Sequence, residues 1–303
     1  MMTVSGKELG DAAKKRSGSG SFLHCCCSSS EDTNDVAGSI GVSVLTDEKV
    51  SRTVVLEPVA ETNHPADDEA KLEERPETSL ELGASYTGQW KGLECHGRGR
   101  LLRPDGSWYE GEFVSSMAHG NGKFKAVNGN SYEGQWDQDR AHGHGKYIHE
   151  DGSVYVGEWS NDEKCGQGSE RWSDGSYYQG EFHHGSKQGS GTYLSKNDII
   201  VYQGQFNHDK MDGEGTYNFT DGRVYIGQWH AGHMHGEGTM EWPDGSKYIG
   251  TYIDDMRHGE GKLEWADGRS YSGPWVNGKQ EANCVMINTK GKEKEGRNDN
   301  EVT

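Results

Sequence analysis

An aromatic-glycine-aromatic signature returns nine times along this chain: YTGQW at 86, YEGEF at 109, YEGQW at 132, YVGEW at 155, YQGEF at 178, YQGQF at 202, YIGQW at 225, YIGTY at 248 and YSGPW at 271. The tyrosines that open it stand 23 residues apart, with one interval of 24 between Tyr178 and Tyr202. A fixed internal period means that each copy is one small unit, which buries its apolar face against copies of itself.

A second pattern keeps phase with the first. Eleven residues after each of the first eight tyrosines comes a Gly-x-Gly, from Gly97/Gly99 to Gly259/Gly261. Before the next tyrosine stands a turn dipeptide: Asp105-Gly106, Asn128-Gly129, Asp151-Gly152, Asp174-Gly175, Asp221-Gly222, Asp244-Gly245 and Asp267-Gly268. Asp-Gly and Asn-Gly are strong hairpin signals because both residues tolerate positive φ. Each repeat therefore reads as two antiparallel strands, joined by this glycine turn on one side and by a longer loop on the other. The 24-residue copy carries Asn197-Asp198 followed by Ile199, Ile200 and Val201, which predicts a remodelled turn.

Side chains on a strand alternate between faces, so Tyr132, Gly134 and Trp136 point together while Glu133 and Gln135 form a solvated outer face. Gly143, Gly145 and Tyr147 repeat the alternation on the returning strand. The glycines are expected to leave room for rings from neighbouring hairpins. Two strands per repeat at about 4.8 Å each put equivalent residues roughly 10 Å apart, giving a ribbon on the order of 85 Å long. The expectation is one all-β, single-layer antiparallel hairpin solenoid of about nine 23-residue repeats over residues 83–290. No helix longer than about two turns is expected between 86 and 287, and 282-ANCVMI-287 should close the array as its edge strand.

Composition agrees. Only 31% of the 303 residues are hydrophobic, too few for two ordinary cores, while 45 glycines accompany 10% aromatics. No stretch approaches 18 apolar residues, and no Gly-X-Y triplet persists. A net charge of −18 repels a phosphate backbone, so nucleic acid is not an expected partner.

Residues 1–82 lack sustained periodicity and read as a disordered acidic tail, and 291–303 as a disordered polar tail. Within the first, 40-IGVSVL-45 and 53-TVVLEPV-59 have strand-like composition but read as transiently ordered linker. No apolar signal region opens the chain, so a cytoplasmic, reducing compartment is expected. The six cysteines, three of them adjacent at Cys25, Cys26 and Cys27, form neither a disulfide framework nor a CxxC zinc motif. Three adjacent cysteines behind Lys14, Lys15 and Arg16 are candidates for S-acylation; the alternative is a run of free thiols.

These signatures resemble the MORN (membrane occupation and recognition nexus) repeat, whose pattern is close to YxGxWxxGxxHGxG, over about residues 86–290. The resemblance implies a twisted single-layer β-hairpin solenoid. It leaves function open, since such repeats accompany plant phosphatidylinositol phosphate kinases, junctophilins, ciliary radial-spoke proteins, a lysine methyltransferase and protist cortical scaffolds. No kinase or methyltransferase domain, and no junctophilin-like C-terminal anchor, is expected from the segments flanking the repeats.

Two rows of residues invite a functional reading. His96, His119, His142, His235 and His258 precede the first glycine of the Gly-x-Gly, with Cys165, Gln188 and Asp212 in the other copies. Equivalent positions roughly 10 Å apart cannot share one ion, so a loop-anchoring hydrogen bond is expected instead of a metal. The aromatic row Tyr86, Trp90, Tyr109, Phe113, Tyr132, Trp136, Tyr155, Trp159, Tyr178 and Phe182 is either the packing core or a groove for a partner. No cofactor and no nucleotide-cradling loop is expected, because the Gly-x-Gly pairs lack a strand-to-helix context. The functional expectation is a non-enzymatic scaffold or adaptor at a membrane or cortical cytoskeleton, binding protein partners or a second copy of itself. The alternatives are a ciliary or cytoskeletal structural protein without a lipid anchor and a regulatory subunit of a separate phosphoinositide kinase.

Overall fold

The computed structural model describes residues 71–296. Twenty-one strands over that span form one antiparallel sheet, in which each strand pairs with its neighbours in sequence along the repeats. The one helical turn among the described residues is a 3-10 turn, Glu81–Gly83, outside the repeat array. The meander expected from 86 to 287 is therefore present without interruption by helix.

The first repeat shows the unit. Strand β2 (Ser85–Lys91) returns as β3 (Glu94–Leu102), which passes through a loop into β4 (Trp108–Val114) of the next copy. β1 (Glu73–Ser79) lies on the other side of β2. The connections differ from the sequence reading. The tightest turn is the two-residue one after the YxGxW strand, expected as the longer loop, and in most copies both its residues have positive φ, as at Gln138 (49°) and Asp139 (64°) or Asp254 (45°) and Asp255 (68°). This is the twist-matched hairpin geometry that glycine usually supplies. Here a neighbour supplies it: Asp139 N donates to Ala118 O at 3.0 Å, and Ala118 N donates to Asp139 Oδ1 at 2.7 Å. Docking onto the preceding repeat offsets a left-handed cost of roughly 1 kcal/mol per residue. The Asp-Gly sites close wider loops, in which Gly106 N donates to Arg103 O and Arg103 N to Ser107 O, both at 2.9 Å.

Once per repeat the returning strand carries two extra residues: Gly88 pairs Gly99, but Trp90 pairs Cys95. The fourth residue of the signature, read as part of a merely solvated face, holds that bulge. Gln89 Oε1 accepts the amide of Arg98 at 2.8 Å, and Gln135, Glu158, Gln205 and Gln228 repeat the contact at His144, Gln167, Glu214 and Glu237.

The glycines clear space for a ring of their own hairpin rather than a neighbour's. A Cβ at Gly157 would lie 2.5 Å from Tyr155 Oη and 2.6 Å from Gly168 Cα. The 24-residue copy also departs from expectation. Its turn is not remodelled, because Asp198 (φ 58°) takes the glycine's place and Ser195 keeps both turn hydrogen bonds. The extra residue is Val201, which falls between the pairs Leu194–Ile200 and Tyr193–Tyr202 as a bulge.

Both ends extend beyond the boundaries read from sequence. β1 lies inside the segment read as a tail to residue 82, and Glu293–Gly296 inside the one read as a tail from 291. Cys284–Ile287 is therefore not the edge, since it pairs Ser270–Val276 on one side and Glu293–Gly296 on the other. Neither end strand shows an apolar alternation, because an edge strand is held chiefly by backbone pairing and its charged side chains discourage further strand addition. Cys25, Cys26, Cys27, Lys14, Lys15, Arg16 and the two strand-like runs at 40–45 and 53–59 lie outside the described residues.

Candidate functional site

The ten aromatic residues Tyr86, Trp90, Tyr109, Phe113, Tyr132, Trp136, Tyr155, Trp159, Tyr178 and Phe182 are all buried, the tyrosines at 0–1% exposure. They are the packing core and not an open groove. Each tyrosine ring meets the fifth-position ring of its own repeat and of the next one edge-on, as Tyr132 does with Trp136 at 4.9 Å and Trp159 at 5.3 Å. Such pairs contribute about 0.5–1.5 kcal/mol each beyond burial. Tyr132 Oη donates to Gln135 O at 2.8 Å, and Trp136 Nε1 donates to Gly122 O of the preceding repeat at 3.1 Å. Trp90 has no preceding Gly-x-Gly, and its buried Nε1 finds no acceptor among the described residues. Burial pushes the tyrosine hydroxyls well above their ordinary value, Tyr248 up to about 12.

The surface that remains accessible belongs to residues the sequence reading passed over. Trp172, Phe219, Trp242 and Trp265 stand three positions before the glycine of the Asp-Gly loops, and with Tyr193 and Tyr217 they lie half-buried against the core. Trp172 leans on Tyr193 of the following repeat (5.9 Å), and Tyr217 on Phe219 (4.7 Å). Cations cover some of these rings: Lys187 Nζ lies 5.0 Å from Trp172, Arg223 4.5 Å from Phe219 and Arg269 5.2 Å from Trp265. The signal was present as ERWSDG, YNFTDG, MEWPDG and LEWADG. It was overlooked because the aromatic falls one residue past the strand and outside the YxGxW frame.

Within the histidine ladder His96 makes the expected loop anchor, whereas the buried Nδ1 of His235 has no hydrogen-bond partner among the described residues. His96 Nδ1 accepts the amide of Ser115 at 3.4 Å, and its replacements Gln188 and Asp212 accept those of His208 (3.2 Å) and Ala231 (2.9 Å), each time the first residue of the next tight turn. His119 sits 3.3 Å from Asp137. One shallow, open cleft between two repeats is lined by Asp212, Glu214, Trp229, His230 and His235. Its His230 lies 3.5 Å from Asp212, and no group of three or more ligating side chains among the described residues could hold a metal ion.

Eight consecutive copies, residues 86–108, 109–131, 132–154, 155–177, 178–198, 202–222, 225–247 and 248–268, match the family model of the MORN repeat. The chain belongs to the MORN repeat family. The ninth copy, YSGPW at 271, lies outside the matched residues and lacks a Gly-x-Gly; its return is the two-residue strand Lys279–Gln280. No curated protein matches the chain in sequence. Among solved structures, the TCP10 domain of Danio rerio CPAP in complex with a peptide of Danio rerio STIL is 14% identical over 73% of this chain and 97% of that one, at a TM-score of 0.37. The G-box domain of the microcephaly protein CPAP is 13% identical over 67% and 99%, at 0.36. Likeness this loose has no bearing on function.

Within the MORN array the core departs from its own pattern at three places. The position facing the fifth-residue ring is Cys95, Ala118, Ala141, Met211 and Met234 in five copies, but Lys164, Lys187 and Arg257 in three. Lys164 Nζ pairs with Glu170 at 2.7 Å and lies 4.8 Å from the Tyr155 ring, with both members of the pair mostly buried. Glu170 itself stands where other copies place Leu101, Phe124 or Tyr147. Lys187 pairs with Asp209 at 3.4 Å, and Arg257 lies 4.0 Å from the Trp275 ring.

Proposed function

We propose that this MORN-repeat protein is a non-enzymatic scaffold or adaptor, which binds protein partners along the loop side of its ribbon and is held at a membrane or cortical cytoskeleton by its N-terminal segment. The half-buried aromatic row carries the reading. A single-layer sheet has no second layer to cover such a face, and aromatic side chains that are partly exposed on a rigid support give large contact area at low entropic cost. Because the core tyrosines are buried, the contact surface is Trp172, Tyr193, Tyr217, Phe219, Trp242 and Trp265. Co-purification of the full chain should recover partners that a Trp172→Ala, Trp242→Ala, Trp265→Ala variant loses while its circular dichroism stays unchanged. Identical partners from the two proteins would rule this surface out.

Attachment is read from Cys25, Cys26 and Cys27 together with the acidity of the chain, net charge −18. An acidic ribbon is repelled by an anionic leaflet, whereas two or three acyl chains at about 0.8 kcal/mol per buried CH₂ give stable residence. Replacing all three cysteines by serine should move the protein to the soluble fraction. A triple-serine protein that stays with membranes after a salt wash would mean that the repeats or a bound protein make the attachment. Loss of label from a palmitate analogue with unchanged cortical position would favour the structural role without a lipid anchor.

A further inference from the structure

We propose that the loop aromatics form a track for a basic, proline-rich segment in the polyproline II conformation, lying along the ribbon with every third residue on successive repeats. The proposal rests on the protein-binding reading above and names the chemistry of the partner. Three observations carry it.

The first is pitch. Equivalent residues of successive repeats are two strands apart, about 9.6 Å at the usual strand spacing. A polyproline II helix advances about 9.3 Å in its three-residue turn. Phe219, Trp242 and Trp265 occupy the same loop position in three consecutive repeats, so a Pro-x-x-Pro-x-x-Pro segment matches them ring for ring. Trp172 extends the row by two further repeats, past a gap at Ser195 in the 24-residue copy.

The second is hydrogen bonding. The core tryptophans Trp136, Trp159, Trp229 and Trp275 donate their indole N–H to a glycine carbonyl of the preceding repeat. Those of Trp172, Trp242 and Trp265 donate to nothing among the described residues. A polyproline II backbone has no internal hydrogen bonds and offers its carbonyls outward, which suits free indole donors. Away from its two edges the sheet already pairs its strands on both sides, so an added β-strand has no ladder to join there.

The third is charge. Each loop places an aspartate beside its aromatic residue. Asp221 and Asp267 are paired with Arg223 and Arg269, at 2.8 Å each. Asp174, beside Trp172, accepts from Ser176 and feels the charge of Lys196 in the next loop, whereas Asp244, beside Trp242, accepts only from Ser246 of its own turn and has no ion pair among the described residues. The unpaired carboxylate of Asp244 at the middle of the row, on a chain of net charge −18, complements lysine or arginine at the positions between prolines.

The test is fluorescence polarisation with the full chain and a dye-labelled peptide of about 13 residues, (Pro-Lys-Ala)n-Pro, long enough to span from Trp172 to Trp265 at ~3.1 Å per residue. The regular peptide should bind at least about tenfold more tightly than one of the same composition with irregular proline spacing, and than one with glutamate for lysine. Its affinity should fall as salt is raised. Trp242→Ala and Trp265→Ala should each weaken it about tenfold, whereas Ala126→Ser, at the same loop position near the other end of the array, should not. Equal affinity for regular and irregular peptides, no binding of either, or full binding by the tryptophan variants would each overturn the proposal. If the peptides fail while tryptophan-dependent partners still co-purify, the scaffold reading stands and only the proline-rich class is lost; if both fail, both are lost.

Discussion

Replacing Gly157 by valine should break the ribbon in its middle, whereas replacing Gly106 by asparagine should leave it nearly intact. At Gly157 a first side-chain carbon would lie 2.5 Å from Tyr155 Oη, 2.6 Å from Gly168 Cα and 2.8 Å from Gln167 O. Two of these atoms are backbone of the paired strand, so no rotamer change relieves the overlap; strands Val154–Ser160 and Glu163–Arg171 must part. Overpacking of a tight site costs about 1–3 kcal/mol, and more where backbone must move. Displacing Tyr155 also removes its 3.0 Å hydrogen bond to Glu158 O and its edge contacts with Trp159 and Phe182, both at 5.1 Å. With about 1 kcal/mol for the hydrogen bond and a similar amount for each ring pair, the loss comes to roughly 4–6 kcal/mol. At Gly106 the nearest atom to a new Cβ is Val127 Cγ2 at 4.0 Å, and φ is 88°. Asparagine is among the residues that best tolerate positive φ, so the cost is on the order of 1 kcal/mol. At roughly 2–4 °C per kcal/mol for a domain of this size, thermal unfolding followed by circular dichroism should show a Tm drop of about 8–24 °C for Gly157→Val and no more than about 4 °C for Gly106→Asn. Equal losses would refute the assignment of the strand glycines to ring clearance.

Stability should fall in alkali, because the buried tyrosines hold their protons more tightly in the folded ribbon than in the unfolded chain. Their full stabilisation is present below the unfolded tyrosine value of about 10 and is lost as pH rises from there through the folded values, so unfolding and phenolate absorbance should rise together; tyrosines that titrate near pH 10 with the sheet intact would contradict this. Lys164→Met leaves Glu170 mostly buried without its partner and should cost about 3 kcal/mol in denaturant unfolding. The double variant Lys164→Met, Glu170→Tyr restores residue types that other copies carry, as at Met211 and Tyr147, and should recover most of that loss; a double variant no better than the single one would mean that the ion pair is not what the site requires.

The period of the signature determined most of the fold. The 23-residue recurrence, the alternation of Tyr132, Gly134 and Trp136, and the Asp-Gly turns in phase with the Gly-x-Gly point to an antiparallel hairpin array, in which all nine tyrosines are buried. The anchoring contact made by His96 was also legible, since residues two strands apart cannot share an ion. Tertiary structure decided the features that depend on a neighbouring repeat. Gln138 and Asp139 adopt a left-handed turn that their own preferences disfavour, because Ala118 of the preceding copy supplies the hydrogen bonds. β1 and the strand Glu293–Gly296 carry no apolar period, because each is held by the backbone of the strand beside it. The row from Trp172 to Trp265 became a candidate surface only when packing showed which rings are covered: Tyr155 and Trp159 are enclosed by rings on both sides, while an aromatic residue one step past the strand has the core beneath it and, at Trp172, Phe219 and Trp265, one cationic side chain against the ring. Sequence periodicity specifies which face a side chain shares, and only the stacking of whole repeats decides how much of that face remains open.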